Sequence, residues 1–470
     1  MREQKFIVGG EWKKSGNTSP VRNPFDNTEL ASCWLAGPDD IESAICSAQH
    51  AFTVTSRTSG FERSEILMSI ASQLTVRKEE FSQSITSEAG KPISFSRSEV
   101  DRAIITFQTA AEEAKRITGE TVPLDISAAT KGRLGIVNRF PIGIVLCITP
   151  FNFPLNLVAH KLAPAIASGN SFILKPAPQT PLTSLLLGEV LLNSGLAKTA
   201  INILPTTNEL AERMVSDDRI AMLSFTGSAA VGWMLKSKAG KKKVVLELGG
   251  NAAVIVDKTA DVSHAVSRCV LGAYGYAGQV CIKVQRIIAH QSAYERFEKE
   301  FVEATRKVVS GNPTDNGTLV GPMISEREAE RVELWVKEAT QAGATILTGG
   351  KRSGSFFAPT VLKNVALSMK VCSEEIFGPV VTLEKFTEIS DALTMINSSK
   401  YGLQAGIFSN DHAAIQRLYR ELNVGGVIVN DYPTFRVDNM PYGGVKDSGT
   451  GREGVRYAME EMMEKKLLVL

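Results

Sequence analysis

The chain has 470 residues, too many for one ordinary hydrophobic core, so two or three domains are expected. Its 52 Lys and Arg nearly cancel its 50 Asp and Glu, and no basic stripe appears, which argues against nucleic acid as a partner. Six cysteines without a Cys-x-x-Cys pair, beside only five histidines, argue against a zinc site or a disulfide framework, so no metal is assigned.

Residues 1–5 lead into polar sequence rather than a signal segment, and no apolar run is long enough to span a membrane. The expected setting is therefore reducing and cytoplasmic, without a membrane partner, and a free thiol is at home there. Residues 38–118 read as successive amphipathic helices; in the last, Ala103, Phe107, Ala110, Ala114 and Ile117 recur at helical spacing. Residues 121–139 turn short and extended, with Gly132 and Gly135 as breakers, and predict paired strands. From Pro141 apolar runs alternate with helical patterns. Residues 144–148 precede a helix over 156–168, 171–174 precede 181–194, 200–204 precede 207–215, and 221–225 precede 229–239. That rhythm predicts a parallel, doubly wound sheet. Lys241, Lys242 and Lys243 are expected to form the solvated end of the last of these helices. A second alternating stretch over 252–425 predicts a second α/β domain. The apolar end, 465–470, reads as a terminal strand in want of a partner, which a neighbouring subunit could provide.

Two short segments carry a nucleophile and a base. Cys281 lies in Gly278-Gln279-Val280-Cys281-Ile282, and a lone carboxylate, Glu247, lies in Leu246-Glu247-Leu248-Gly249-Gly250. Glycine lets the backbone approach a substrate closely, and an apolar setting raises a carboxylate's pKa towards neutrality, where it can act as a base. The plainer reading is a buried structural cysteine and a solvated glutamate. Further segments in a compatible order outweigh it. The strand ending at Phe225 runs into Thr226-Gly227-Ser228 and a helix, a ready site for a phosphate, although it has one glycine fewer than the usual dinucleotide fingerprint. In Ile148-Thr149-Pro150-Phe151-Asn152-Phe153-Pro154 two prolines stiffen a loop whose amide, Asn152, can donate to developing negative charge. Lys175, in Leu174-Lys175-Pro176-Ala177-Pro178, stands at the carboxyl end of a strand, where ligands of open α/β sheets bind. Glu374-Glu375-Ile376-Phe377-Gly378-Pro379 adds a carboxylate, a ring and a sharp turn. Taken singly, a tight turn and a structural Asn are the plainer readings of the glycine and proline loops.

In order along nearly the whole chain, these segments and Pro441-Tyr442-Gly443-Gly444-Val445-Lys446-Asp447-Ser448-Gly449 resemble the aldehyde dehydrogenase superfamily. The resemblance implies an α/β fold of two doubly wound domains with a small β arm for oligomerisation. The cofactor-binding domain would comprise 1–119 and 141–247, the catalytic domain 248–447, and the arm 120–140 with 448–470. It implies that Cys281 attacks an aldehyde to give a thiohemiacetal whose oxyanion Asn152 and the Cys281 amide hold. Hydride loss leaves a thioester, and Glu247 activates the water that hydrolyses it. Lys161 and Glu453 match positions that relay protons. Thr149, Pro150, Lys175, Pro178, Gly227, Ser228, Glu375 and Phe377 would bind NADP or NAD: Ser228 at the pyrophosphate, Lys175 at the adenosine ribose, Glu375 at the nicotinamide ribose. A homodimer or homotetramer is implied as well. Two rivals are a relative that passes the thioester to coenzyme A, disfavoured because Glu247 is present, and a non-catalytic structural member, disfavoured because Cys281, Glu247 and Asn152 all remain.

One departure concerns the cofactor. Many NAD-preferring relatives carry a glutamate three residues after this lysine, and here Pro178 stands there, so NADP is admitted. Another concerns the substrate. His160 falls where relatives that use apolar aldehydes place tryptophan, Arg102 where they place an apolar residue, and Arg436 follows Phe435 in a mouth loop. These groups suggest a small polar or anionic aldehyde, with His160 charging near its ordinary pKa of about 6.5. Arg102 as a solvated helix residue, and Arg436 paired with Asp438 or Asp431, are the alternatives. The pattern looks most like the branch that oxidises lactaldehyde, glyceraldehyde-3-phosphate, phosphonoacetaldehyde or sulfolactaldehyde, although Asn439 stands where that branch often has histidine.

Overall fold

A computed structural model describes residues 3–470; the first two residues of the polar N-terminal stretch lie outside the described residues. Four helices come early: α1 (Pro38–Thr55), α2 (Gly60–Val76), α3 (Lys78–Ala89) and α4 (Ile93–Ala114). Their apolar positions recur every three or four residues, so α1 buries Ile41, Ala44, Ile45, Ala48 and Ala51 along one face. Ser59 and Glu62 exchange side-chain-to-amide bonds at the start of α2, satisfying donors that a helix end leaves free. α4 stops at Ala114, short of the expected 118, and Ile117 packs on the core from the loop beyond it.

The first sheet runs Ser171–Lys175, Ile144–Ile148, Ile220–Thr226, Lys243–Glu247 and finally the short Gly449–Thr450. The first four strands are parallel and the last is antiparallel. Helices α5 (Asn156–Ala167), Pro181–Leu192, Asn208–Ser216 and Ala229–Lys238 alternate with them. Every residue of 144–148 and 171–175 is buried, as befits parallel strands covered on both faces. The run 200–204 departs from the prediction. Lys198–Ala200 is a 3₁₀ turn, and the extended residues after it only bridge the sheet, Leu174 N donating to Asn202 O at 2.9 Å and Ile203 pairing with Ile7. The lysine triplet is also corrected: the helix ends at Lys238, Lys241 and Lys242 form a turn, and Lys243 opens a strand.

The second sheet has seven strands in the order Thr345–Thr348, Thr360–Lys363, Val380–Phe386, Arg286–His290, Ala253–Val256, Gln404–Phe408 and Gly426–Val429. Only the Thr345–Thr348 edge runs antiparallel. The first sheet shares one apolar core with α1–α5, and the second sheet carries separate cores on its two faces. The terminal strand, Met463–Val469, pairs antiparallel with Leu134–Pro141, which pairs with Glu120–Pro123. Its partner within this sheet is a strand of its own chain, and Leu467, Leu468, Val469 and Leu470 on this edge strand stay about half exposed. Among the described residues no helix is long and apolar enough to cross a membrane.

Candidate active site

The strand order positions most of the predicted residues. Ser171–Lys175 and Ile220–Thr226 flank Ile144–Ile148 on opposite sides, so successive connections leave in opposite directions and open a crevice at the carboxyl ends. Thr149, Pro150 and Asn152 follow Ile144–Ile148, Lys175 ends Ser171–Lys175, Gly227 and Ser228 follow Ile220–Thr226, and Glu247 ends Lys243–Glu247. The Gly227 amide donates to the Glu247 carbonyl at 3.0 Å, and a Cβ on Gly227 would meet the Phe225 ring at 2.6 Å, so a larger residue would have to displace that ring. Ser228 is the exposed N-cap of Ala229–Lys238 and its hydroxyl makes no cap bond, leaving the helix start open to an anion. The buried Lys175 Nζ donates to Asn208 Oδ1 at 3.2 Å, and burial draws its pKa down to about 8. Pro178 is exposed on the following loop.

The Cys281 loop leaves helix Val262–Tyr274 through three left-handed residues, Tyr276 (φ 54), Ala277 (φ 52) and Gly278 (φ 68). Each non-glycine there costs roughly 1–2 kcal/mol and needs anchors. Tyr276 donates from its amide to Leu319 O at 3.1 Å and from its hydroxyl to Ala89 O at 3.2 Å, while the Gln279 side chain accepts from the Ile324 amide at 2.8 Å. Asn152, almost wholly buried, donates from Nδ2 to the Gln279 carbonyl at 2.9 Å, so its amide is fixed against the loop that carries the thiol. Below it lies the buried Lys91–Glu99 pair, whose Glu99 Oε1 accepts from the Leu155 and Asn156 amides at 2.9 and 3.1 Å. Lys91 Nζ also lies 3.6 Å from the Phe153 ring centroid. The Cys281 thiol borders the cleft, and its sulfur is 3.0 Å from the Tyr442 hydroxyl. Burial pushes the thiol up to about 11, Glu375 and Glu247 add to this, and the Tyr442 bond and Arg436 charge oppose it.

Glu247 is buried, and among the described residues neither of its oxygens has a hydrogen-bond partner. Burial, and then the charge of Glu453, push its pKa well above the usual carboxylate range, against Arg436, Lys161 and Arg452. Glu453 goes the other way: burial is outweighed by Lys161, Arg436 and His160, and it stays ionised. Lys161 Nζ donates to Glu453 Oε1 at 3.0 Å and to Ser224 Oγ at 3.1 Å, and Arg436 Nη2 donates to Glu453 Oε2 at 3.1 Å. Glu375, raised to about 7 by burial, accepts from the Gly250 amide at 3.0 Å. A Cβ on Gly249 would lie 2.1 Å from its other oxygen. Phe377, at φ 45, meets Phe151 edge-on with centroids 5.9 Å apart.

The cations expected at the mouth are brought together, but they are not free. Asp438, weighed in the sequence only as a partner for Arg436, accepts the Arg102 fork (Nε at 3.1 Å, Nη2 at 2.6 Å) and His160 Nε2 at 2.7 Å. Arg436 is held mainly by Glu453 and stands 4.0 Å from Asp438, while Asp431 pairs with Arg268. His160 is corrected too. Burial, and then the Arg436 charge, pull its pKa below the ordinary value against Asp438, so it does not charge near 6.5. Phe435 is exposed on the same loop, its carbonyl taking a bond from Gln404 at 3.3 Å. Tyr442, Asp438, Ser224 and Asn208 escaped the sequence reading as site residues; only Tyr442 lay inside a recognised segment.

The sequence profile of the aldehyde dehydrogenase family matches residues 12–468. The chain belongs to that family. It is 46% identical to a 3-sulfolactaldehyde dehydrogenase of Priestia aryabhattai, over 100% of this chain and 98% of that protein. It is 39% identical to a lactaldehyde dehydrogenase of Methanococcus vannielii, over 99% of each. The crystal structure of aldehyde dehydrogenase 21 from Physcomitrella patens, in complex with the reaction product succinate, superposes with a TM-score of 0.97 at 45% identity, covering 100% of this chain and 98% of that one. A glyceraldehyde-3-phosphate dehydrogenase from Methanocaldococcus jannaschii complexed with NADP gives 0.93 at 39% identity, covering 97% and 99%. The two-domain α/β fold of this aldehyde dehydrogenase is the one its sequence implied.

Proposed function

We propose that this aldehyde dehydrogenase oxidises a small anionic aldehyde to its carboxylate through a thioester on Cys281. The observation that carries the reading is Glu247: a buried carboxylate with both oxygens unpartnered, in the same cluster as a thiol on the cleft. Cys281 loses its thiol proton to water, its sulfur bonds to the aldehyde carbon as the C=O π bond breaks, and the free hydrogen of the Asn152 amide with the Cys281 N–H steadies the oxyanion; such donors are worth several kcal/mol. After the thioester forms, Glu247 takes a proton from water, which attacks the acyl carbon and returns Cys281. Lys161 and Glu453 carry that proton onward.

The residues present fit a nicotinamide dinucleotide, because the open helix start at Ser228 suits a pyrophosphate and the Gly249 cradle leaves Glu375 room to meet a ribose. When bound, NADP or NAD supplies the hydride acceptor. Thr149, Pro150, Lys175, Pro178, Gly227, Ser228, Glu375 and Phe377 would hold it. With Pro178 in place of a carboxylate, nothing on that loop repels a 2′-phosphate. The separate cores support a cofactor-binding domain of 1–119 and 141–247 and a catalytic domain of 248–447. The half-exposed apolar edge of the terminal strand supports 120–140 with 448–470 as an oligomerisation arm. All six cysteines are free thiols, which supports a reducing compartment such as the cytoplasm.

The anionic substrate follows from charge. In one linked cluster three cations, Arg102, Arg436 and Lys161, meet two ionised carboxylates, Asp438 and Glu453, so one positive charge stays unmatched while the neighbouring Glu247 is protonated. Arg436 Nε is buried, makes no hydrogen bond among the described residues and has Asp438 Oδ1 4.0 Å away, which leaves it a donor for an anionic tail. The relatives named for sulfolactaldehyde and for a succinate product support the same class. An aldehyde panel bearing sulfonate, phosphate, phosphonate or carboxylate groups, with propanal as neutral control, tests it with each cofactor. At least one anionic member is expected to exceed propanal in kcat/KM by about tenfold or more. Equal values across the panel would reject the anionic reading.

A further inference from the structure

Tyr442 is fixed more firmly than its place in a glycine-rich loop requires. Its amide donates to the Glu453 carbonyl at 3.0 Å, and the Glu453 amide donates back to the Tyr442 carbonyl at 2.7 Å. Ile282 and Leu403 enclose the ring, which is almost wholly buried. The Arg436 guanidinium lies over its face, 3.7 Å from the centroid. The hydroxyl so held is 3.0 Å from the Cys281 sulfur. A Cβ on the next residue, Gly443, would lie 2.7 Å from Glu247 Oε1, so the loop that holds the phenol also borders the base.

We propose that Tyr442 is a catalytic hydrogen-bond donor to the Cys281 thiolate, strengthened by the Arg436 cation on its ring and tied through Arg436 to the Glu453–Lys161 pair. The proposal rests on the reading of Cys281 as nucleophile. A bond to the charged form of a group favours ionisation, and a neighbouring cation polarises the donating O–H. The groups facing the sulfur are Tyr442 and Arg436 from the 433–444 loop, Glu247 from the first sheet and Glu375 from the turn before Val380–Phe386. Only the first two favour the thiolate; both carboxylates oppose it. Those facing Tyr442 are Cys281, Arg436 and Glu247. Once Cys281 has bonded to the aldehyde carbon, the sulfur no longer carries the charge, and the phenol releases it.

The test is the pH profile of Cys281 alkylation by iodoacetamide, in which sulfur bonds to the acetamide carbon and iodide leaves. Peptide mass spectrometry separates Cys281 from the exposed Cys46. In Tyr442→Phe the midpoint is expected to rise by about one unit, slowing alkylation at neutral pH by roughly tenfold. The burst of reduced cofactor should slow in parallel, with cofactor affinity unchanged. Superimposed profiles, or a lowered midpoint, would overturn the proposal. Should the Phe variant fail to fold, fluorotyrosine incorporated for tyrosine gives a more acidic phenol and must move the midpoint down; no movement overturns the proposal as well. If Cys281→Ser kept its dehydrogenase activity, the nucleophile assignment would fall, while the alkylation profile would still report the Tyr442 bond.

Discussion

Burial works on Lys175 against its charge, and a bound phosphate would work for it. With its amine held at about 8, it is cationic below that pH and neutral above. kcat/KM for NADP is therefore expected to fall as pH rises through about 8, with a smaller change for NAD, and Lys175→Met should abolish the difference. A flat NADP-to-NAD ratio between about pH 7 and 9 would show that the amine does not meet a 2′-phosphate. Asp438 supplies a second comparison. Arg102→Met removes one cation from its cluster and should raise KM for a sulfonate or phosphate aldehyde by about tenfold, leaving propanal nearly unchanged. Asp438→Asn releases the Arg102 fork and should lower that KM instead. Changes in the same direction for both variants would remove net charge as the cause. The resemblance to relatives could bring Arg102, His160 and Arg436 to one region, and it offered Asp438 as a partner for Arg436 alone. Asp438 is distant in sequence from Arg102 and from His160, and only folding makes it their shared acceptor.

At the scale of elements, the Cys281 loop depends on its left-handed turn. Gly278 has φ 68, and a Cβ there would lie 2.5 Å from the Gly378 carbonyl oxygen, in the turn that also carries Glu375 and Phe377. Gly278→Ala is expected to cost roughly 1–3 kcal/mol and to cut turnover by more than tenfold, because the thiol is displaced. Gly240→Ala is the control: φ is 61, but nothing lies within 4 Å of the added Cβ, so it should lose some stability and keep its turnover. Thermal melts with steady-state rates check both, and full turnover in Gly278→Ala would separate the loop geometry from the chemistry. The strands and helices of the first sheet were legible because apolar runs and 3.6-residue spacing are local signals. The 200–204 stretch was not: its sequence is strand-like, but its hydrogen bonds go to single bridging residues on either side. The left-handed Tyr276 and Ala277 were hidden as well, since neither residue type announces positive φ and contacts from Ala89 and Leu319 hold Tyr276 there.

Across the whole molecule, the crevice at the carboxyl edge of the first sheet meets the loops that precede strands Arg286–His290 and Val380–Phe386 of the second. The first sheet supplies Asn152 and Glu247, and the second side supplies Cys281 and Glu375. Asn152 and Ser228 follow strands of the first sheet and Lys175 and Glu247 close them, while Cys281 and Glu375 lie in loops that precede strands of the second. The pairing of the terminal strand was not legible, since an apolar strand looks alike whether its partner is in its own chain or another. The claim on which the rest depends is that Cys281 forms a thioester and Glu247 clears it by activating water. A stopped-flow record of reduced cofactor from Glu247→Gln, mixed with saturating aldehyde and cofactor, tests that most directly. The expected record is a burst of about one reduced cofactor per active site and then a near stall, because the thioester forms without the base and cannot leave. A linear trace at the wild-type steady rate, or no burst at all, would contradict it.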